Sequence, residues 1–174
     1  MKFILFSAIF SSLFTASHAN ADDLKVGDPA PIFKAKTEKG EDFDLKSRTG
    51  KWTVLYFYPK AGTPGCTKQA CAFRDVIEKI RAQDADVIGI SADSVEEQAK
   101  FHKEHHLNFT LIADPNADVV KQYGTKMPIM KMAKRWTFVL DPALKIRLIE
   151  KDVDPVLDSE RIAAQIADLK KSKN

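Results

Sequence analysis

Hydrophobic and polar positions along the chain switch between strand-like runs and helix-like spacing, and the switches predict an alternating α/β domain. A hairpin is predicted around Lys39-Gly40, from strands at residues 32–36 and 42–45. Further strands are predicted at 52–58, 87–91, 110–112, 136–140 and 145–149. Helices are predicted at 64–82, 95–105, 116–123 and 159–170, the last with Ser159 as its cap. This order favours a central mixed β-sheet flanked by helices, with an N-terminal β-hairpin.

The run at residues 52–58 is the most apolar of these segments. Each of its residues except Thr53 is aromatic, valine or leucine, a pattern typical of a strand that is buried on both faces. Pro59 ends the strand, because proline has no backbone N–H to donate. Thr63 and Pro64 are typical of the N-cap and first position of a helix, with the Thr63 hydroxyl expected to cap. Cys66 therefore falls in the first helical turn.

Cys66 and Cys71 are five residues apart on this predicted helix. Free backbone N–H groups and the positive helix end stabilise a thiolate in the first turn. A five-residue helical step separates the two Cα atoms by roughly 8.6 Å, whereas a disulfide needs less than about 7 Å. The two cysteines can therefore pair only if the first turns unfold, which favours a redox catalyst over a structural bridge.

Composition indicates one compact domain. The chain has 174 residues, of which 44% are hydrophobic, enough for a core without disulfides. Its seven glycines are scattered and form no phosphate-binding loop. Without the N-terminal segment that contains Lys2, 26 basic and 24 acidic residues leave a formal charge of +2. We therefore expect no nucleic-acid partner.

The N-terminus has the features of a signal peptide. Lys2 precedes an apolar run at residues 3–14, and small residues follow at 17–19 and 19–21. We expect a signal peptide at residues 1–19, cleavage near 19–21, and one domain at 22–174 without stable membrane association. A bacterial periplasm is the expected location. An N-terminal anchor helix is the alternative, but serines interrupt the run and it is short for a membrane span.

Two overlapping motifs resemble a known family. Pro59-x-x-x-Thr63-x-x-Cys66 resembles the active-site signature of the peroxiredoxins. The longer motif, from Thr63 through Cys71 to Asp75, resembles the peroxiredoxin Q, or bacterioferritin comigratory protein (BCP), branch, in which both cysteines share a helix. The resemblance extends from residues 27–33 to 136–141 and departs at 126–132. It implies a thioredoxin-like fold, which the predicted order of elements suits.

The resemblance implies roles for six residues. Cys66 would be the peroxidatic nucleophile and Cys71 the resolving cysteine. The side chains expected around Cys66 are Thr63, which would turn its hydroxyl towards the thiolate and peroxide, Pro59, which would shield the sulfur, and Arg135, which would stabilise the thiolate and the peroxide oxygens. Gln69 stands where many relatives carry a glutamate that orients the arginine, so it would support Arg135 without a negative charge.

The implied reaction is the reduction of hydrogen peroxide and organic hydroperoxides by a monomeric thiol peroxidase. Cys66 would form a sulfenic acid, Cys71 would convert it to a disulfide, and a thioredoxin-like dithiol protein would reduce that disulfide. No metal, flavin or nucleotide cofactor is required. In an oxidising periplasm the enzyme would need electrons from a dedicated source on the membrane side.

Other functions also fit parts of the sequence. An exported thiol-disulfide oxidoreductase or copper-handling protein of thioredoxin fold is one, although such proteins normally space their cysteines more closely. A non-catalytic binding domain with a structural disulfide is another. His102, His105 and His106 could bind a metal but fit the end of a helix, where imidazole complements the dipole. Met127, Met130 and Met132 could bind Cu(I) or form a hydrophobic loop over the site.

Overall fold

The structure is a computed structural model that describes residues 24–171. The predicted signal peptide and its cleavage site lie outside the described residues. No helix within residues 24–171 is long and apolar enough to cross a membrane.

Seven strands, four α-helices and one short 3₁₀ helix make up the described chain. The strands are β1 (Lys34–Thr37), β2 (Asp42–Asp44), β3 (Trp52–Phe57), β4 (Ala85–Ser91), β5 (Thr110–Ala113), β6 (Trp136–Leu140) and β7 (Ile146–Glu150). The helices are α1 (Pro64–Arg81), α2 (Val95–Glu104), α3 (Asp118–Gln122) and α4 (Asp158–Lys171), and the 3₁₀ helix spans Leu45–Arg48.

All seven strands form one mixed sheet in the order β2-β1-β5-β4-β3-β6-β7. The central strands β3, β4 and β5 are parallel, whereas β6 and β7 on one side and β1 and β2 on the other pair antiparallel. The predicted N-terminal hairpin is thus part of the main sheet, because β1 also pairs with β5. This α/β, thioredoxin-like architecture confirms the predicted fold class.

Strand β3 is buried along its whole length, as its continuous apolar sequence predicted. Alternate side chains of β3 enter two cores on opposite faces of the sheet. One core contains Tyr56 with residues of α1, α2 and α4, and the other contains Phe57 with residues of α3. Helices therefore cover both faces, and β3 ends between them at the loop that leads into α1.

The start of α4 differs from the prediction. The helix begins at Asp158, so Ser159 lies inside it rather than capping it. The carboxylate of Asp154 accepts hydrogen bonds from the amides of Val156 and Leu157 just ahead of the helix. The prediction for Ser159 was wrong because an upstream aspartate organises this helix start. Asp158 is buried in the first turn of α4.

Two buried tyrosines, Tyr56 on β3 and Tyr58 just after it, differ in whether their hydroxyls have hydrogen-bond partners. The Tyr56 ring lies across Gly89 on β4, so closely that a Cβ at Gly89 would be 2.7 Å from the Tyr56 hydroxyl oxygen. This hydroxyl has no hydrogen-bond partner among the described residues. The Tyr58 hydroxyl donates to Oε1 of Gln98. An unsatisfied buried hydroxyl destabilises a fold, whereas a satisfied one does not.

We expect Tyr56→Phe to raise the free energy of unfolding by about 1 kcal/mol, because the change removes a buried hydroxyl without a partner. Tyr58→Phe is the matched control and should lower that free energy by about 1 kcal/mol, since Gln98 loses a donor. Urea denaturation of the purified proteins measures both changes. A destabilised Tyr56→Phe variant would contradict the assignment.

Candidate active site

Cys66 lies in the first turn of α1, just beyond the carboxyl end of β3. Its side chain is 1% exposed. The first hydrogen bond of α1 runs from the amide of Thr67 to the carbonyl of Thr63, so the amides of Gly65 and Cys66 precede the regular helical pattern. A sulfur in this position lies at the positive end of the helix dipole, which favours the thiolate.

Arg135 reaches Cys66 because of the pairing between β3 and β6. Phe57 at the end of β3 is paired with Trp136 at the start of β6, so the preceding residue, Arg135, lies at the carboxyl end of β3. Its Nη2 donates to Sγ of Cys66 at 3.3 Å. Gly65 leaves room for this contact, since a Cβ there would be 3.3 Å from Nη2.

Gln69 holds the other nitrogen of the guanidinium. It lies one turn further along α1, is fully buried, and accepts a hydrogen bond at Oε1 from Nη1 of Arg135 at 2.6 Å. A planar guanidinium with two fixed contacts has a defined orientation, which an ammonium group could not reproduce. The geometry thus gives Gln69 the position that the motif predicted for it.

Asp158 extends this chain of hydrogen bonds and was not predicted. Its Oδ2 accepts from Nε2 of Gln69 at 2.7 Å and from Oγ1 of Thr137, on β6, at 2.8 Å. Burial raises the pKa of Asp158, while the hydrogen bonds from Gln69 and Thr137 and the charge of Arg135 oppose that rise. In the sequence, only the place of Asp158 beside a predicted helix start could have drawn attention to it. The sequence does not show that Gln69 and Thr137 face its carboxylate.

Thr63 precedes α1, but its hydroxyl does not cap the helix as predicted. The hydroxyl donates instead to the carbonyl of Lys60 at 2.9 Å, within the loop between Pro59 and α1. The hydroxyl oxygen keeps its lone pairs, so it can still accept a hydrogen bond. Pro59 is half-buried at the start of the same loop.

Cys71 lies on α1 five residues beyond Cys66 and is half-buried. Both cysteines are free, and both belong to the unbroken helix Pro64–Arg81. The helical geometry expected from sequence is therefore present. It keeps the two sulfurs apart until the first turns of α1 open.

The arrangement combines a buried thiol, a fixed positive charge and a helix N-terminus. Together they can hold a thiolate and stabilise negative charge on an oxygen that approaches the sulfur. Residues 26–149 match the model of the AhpC/TSA family. The match runs from β1 into β7 and ends before α4.

The chain belongs to the AhpC/TSA family. It is 40% identical over 139 residues to the chloroplastic Peroxiredoxin Q of Sedum lineare, covering 75% of each chain. It is 38% identical over 135 residues to Peroxiredoxin Bcp of Escherichia coli K12, covering 74% of this chain and 86% of the relative. These relatives identify it as a peroxiredoxin of the Q/BCP group.

The crystal structure of Peroxidoxin BcpB from Mycobacterium tuberculosis shares this fold. It superposes with a TM-score of 0.78 at 31% sequence identity, covering 83% of this chain and 97% of the other. The thioredoxin-like peroxiredoxin fold predicted from the motifs is therefore confirmed.

The histidines and methionines that the sequence suggested as possible metal ligands lie in different parts of this peroxiredoxin. His102 approaches Glu38, with Nε2 4.0 Å from Oε1, and His105 packs against the ring of Phe101. Within residues 24–171, no three His, Cys, Asp or Glu side chains are arranged to hold a metal ion. The methionine loop just before Arg135 closes with a hydrogen bond from the amide of Met127 to the carbonyl of Met132, and Met130 near its tip is exposed.

Asp93 anchors the loop of this peroxiredoxin that carries Thr63, and sequence did not predict it. It is 2% exposed and follows β4. Its carboxylate accepts hydrogen bonds from the amide of Ala61 at 2.8 Å, the hydroxyl of Ser91 at 2.7 Å and Nζ of Lys60 at 2.9 Å. The buried carboxylate of Asp93 therefore holds the loop in place through Lys60 and Ala61.

We expect Asp93→Ala to loosen the loop, because three donors lose their acceptor. Hydrogen–deuterium exchange of the peptide around Ala61 should speed up about tenfold, which corresponds to about 1.4 kcal/mol of local stability. Glu97→Gln is the matched control, since it removes the charge of the exposed second partner of Lys60 and leaves Asp93 in place. Equal exchange in wild type and Asp93→Ala would show that the anchor does not hold the loop.

Proposed function

We propose that this chain is a two-cysteine thiol peroxidase that reduces hydrogen peroxide and organic hydroperoxides. The observation that carries the proposal is the Arg135 guanidinium, which contacts the Cys66 sulfur at 3.3 Å while Gln69 holds its other nitrogen. Membership of the peroxiredoxin Q/BCP group supports peroxidase activity.

In the first step, the Cys66 thiolate attacks one peroxide oxygen. The S–O bond forms as the O–O bond breaks, which gives a sulfenic acid and, after protonation, water or an alcohol. Arg135 donates hydrogen bonds to the sulfur and to the oxygens as negative charge moves onto the leaving group. The Thr63 hydroxyl and Pro59 border the peroxide, the first by hydrogen bonding and the second by excluding water.

In the second step, Cys71 attacks the Cys66 sulfenic acid and releases water. Because both cysteines lie on α1, this step requires the first turns of the helix to unfold. Unfolding also brings Cys66 from 1% exposure to the surface. A thioredoxin-type dithiol protein then reduces the disulfide by thiol exchange and regenerates both thiols.

Location and assembly belong to the same proposal. The apolar segment at residues 3–14 supports export after signal cleavage near residues 19–21, with a bacterial periplasm as the compartment. In that compartment the reductant would draw its electrons from the membrane side. We infer a monomer, in which Cys66 and Cys71 react within one chain.

Changing each cysteine separately tests the cycle. We expect Cys66→Ser to lose the fast reaction with hydrogen peroxide, since no nucleophile remains. Cys71→Ser should react as fast as wild type but stop at the sulfenic acid, because nothing resolves it. Stopped-flow Trp fluorescence measures the rates, and mass spectrometry with a sulfenic-acid trap identifies the products. Oxidation of wild type no faster than that of a free thiol would refute the proposal and favour thiol exchange or binding.

Shortening the guanidinium to an amine tests Arg135. An ammonium cannot contact Cys66 and Gln69 in the same planar arrangement, so we expect Arg135→Lys to lower kcat/KM for peroxide roughly 10- to 100-fold. Arg147 on β7 forms an ion pair with Asp141, so Arg147→Lys is the matched control and should retain wild-type kcat/KM. Wild-type activity in Arg135→Lys would mean that charge alone is sufficient.

A further inference from the structure

We propose that Asp158 is a positioning residue for the peroxidase reaction: acting through the Gln69 amide, it holds the Arg135 guanidinium against Cys66. Asp158 touches neither the sulfur nor the guanidinium. Its influence runs through three consecutive hydrogen bonds, from Asp158 to Gln69, from Gln69 to Arg135 and from Arg135 to Cys66. This inference rests on the proposed function.

The two ends of the Gln69 amide have different partners, and the partners fix its orientation. Oε1 accepts from Arg135 and Nε2 donates to Asp158. A reversed amide would point its N–H groups at the guanidinium, which has only donors, and its oxygen at the carboxylate. Without an acceptor at position 158, Arg135 alone would select this orientation, and the buried Nε2 of Gln69 would lose the partner that holds it in place.

Asp158 is itself held from two directions. It lies in the first turn of α4, and the hydroxyl of Thr137 on β6 donates to the same oxygen that receives Gln69. Arg135 is two residues before Thr137, immediately ahead of β6, so one segment of the chain supports both ends of the hydrogen-bond series. Helix α1, strand β6 and helix α4 therefore meet at one carboxylate, which is 2% exposed.

Asp158 could influence Cys66 through its own charge or by positioning Arg135, and the two predict opposite effects on how easily the Cys66 thiolate forms. Arg135, just ahead of β6, lowers the pKa of Asp158, whereas Glu150 on β7 raises it. Burial raises the pKa of Tyr56 on β3, and the charges of Cys66 and Asp158 add to that rise. If Asp158 acted only by its charge across space, removing it would make the Cys66 thiolate easier to form. If it positions Arg135, removing it would make the thiolate harder to form.

Two substitutions at position 158 separate charge from hydrogen bonding. We expect Asp158→Ala to lower kcat/KM for hydrogen peroxide about tenfold and to move the midpoint of the pH–rate profile to higher pH, because Arg135 loses its fixed orientation. Asp158→Asn keeps an oxygen that can accept from Gln69, so it should stay within about threefold of wild type. Wild-type kcat/KM in Asp158→Ala, or a midpoint moved to lower pH, would overturn the inference.

Glu160→Gln is the matched control. Glu160 lies in the same turn of α4, is exposed, and pairs with Lys79 of α1. Its change to glutamine therefore removes a carboxylate and an ion pair between α1 and α4 without altering the hydrogen bonds that lead to Arg135. We expect its kcat/KM and pH midpoint to equal those of wild type. A loss as large as that of Asp158→Ala would assign the effect to helix packing and overturn the inference.

An exchange of functional groups gives a second test with nearly isosteric variants. Gln69→Glu alone places two carboxylates about a hydrogen bond apart, which is unfavourable unless they share a proton, so kcat/KM at pH 8 should fall about tenfold. Adding Asp158→Asn lets an amide donate to the new carboxylate, and activity should recover to within about threefold. Failure to recover in a folded double variant would overturn the inference, even if Asp158→Ala does not fold.

The wild-type measurement separates this inference from the proposed function. If wild type does not reduce peroxide faster than a free thiol, the proposed function fails and the inference fails with it. If wild type is an active peroxidase and Asp158→Ala is equally active, the inference alone fails. Circular dichroism of each variant establishes that it is folded before its rates are compared.

Discussion

The contact between Arg135 and Cys66 joins parts of the chain that are 69 residues apart. It exists because β3 and β6 are antiparallel neighbours, so the end of one strand and the start of the other meet at the N-terminus of α1. The helix supplies the sulfur and Gln69, and the residue just before β6 supplies the guanidinium. A slip of one residue between β3 and β6 would move Arg135 to the other face of the sheet and leave Cys66 without its cation.

Two buried carboxylates flank this contact. Asp158 supports the arginine side, through Gln69 and Thr137, and Asp93 supports the loop side, through Ala61, Ser91 and Lys60. Removing a carboxylate from water is unfavourable unless donors replace the water. Among the described residues, Asp158 has two donors and Asp93 has three, and only Lys60 among them carries a charge. Neutral hydrogen-bond donors therefore supply most of the stabilisation of these buried carboxylates.

Sequence predicted the local features of this molecule well. The central strand and α1 followed from a continuous apolar run and a Thr-Pro pair, and the separation of the cysteines followed from helix geometry. Arg135 was predicted only through the resemblance, because strand pairing is not visible in a single sequence. Asp93 and Asp158 were missed for the same reason: the donors that tie them to the site, Ala61 and Gln69, lie 32 and 89 residues away. Ser159 was misassigned because Asp154 organises the start of α4 instead. The Thr63 hydroxyl was misassigned because it donates to the carbonyl of Lys60.

The position of Gln69 on α1, one turn beyond Cys66, links the two halves of the proposed cycle. The turns that must unfold to join Cys66 to Cys71 are the turns that hold Gln69 between Arg135 and Asp158. Capture of peroxide and closure of the disulfide would therefore be mutually exclusive states of the same segment. A sulfenic acid whose helix has opened would no longer face an oriented guanidinium, so the conformational step that allows repair would also slow a second, damaging oxidation of the same sulfur.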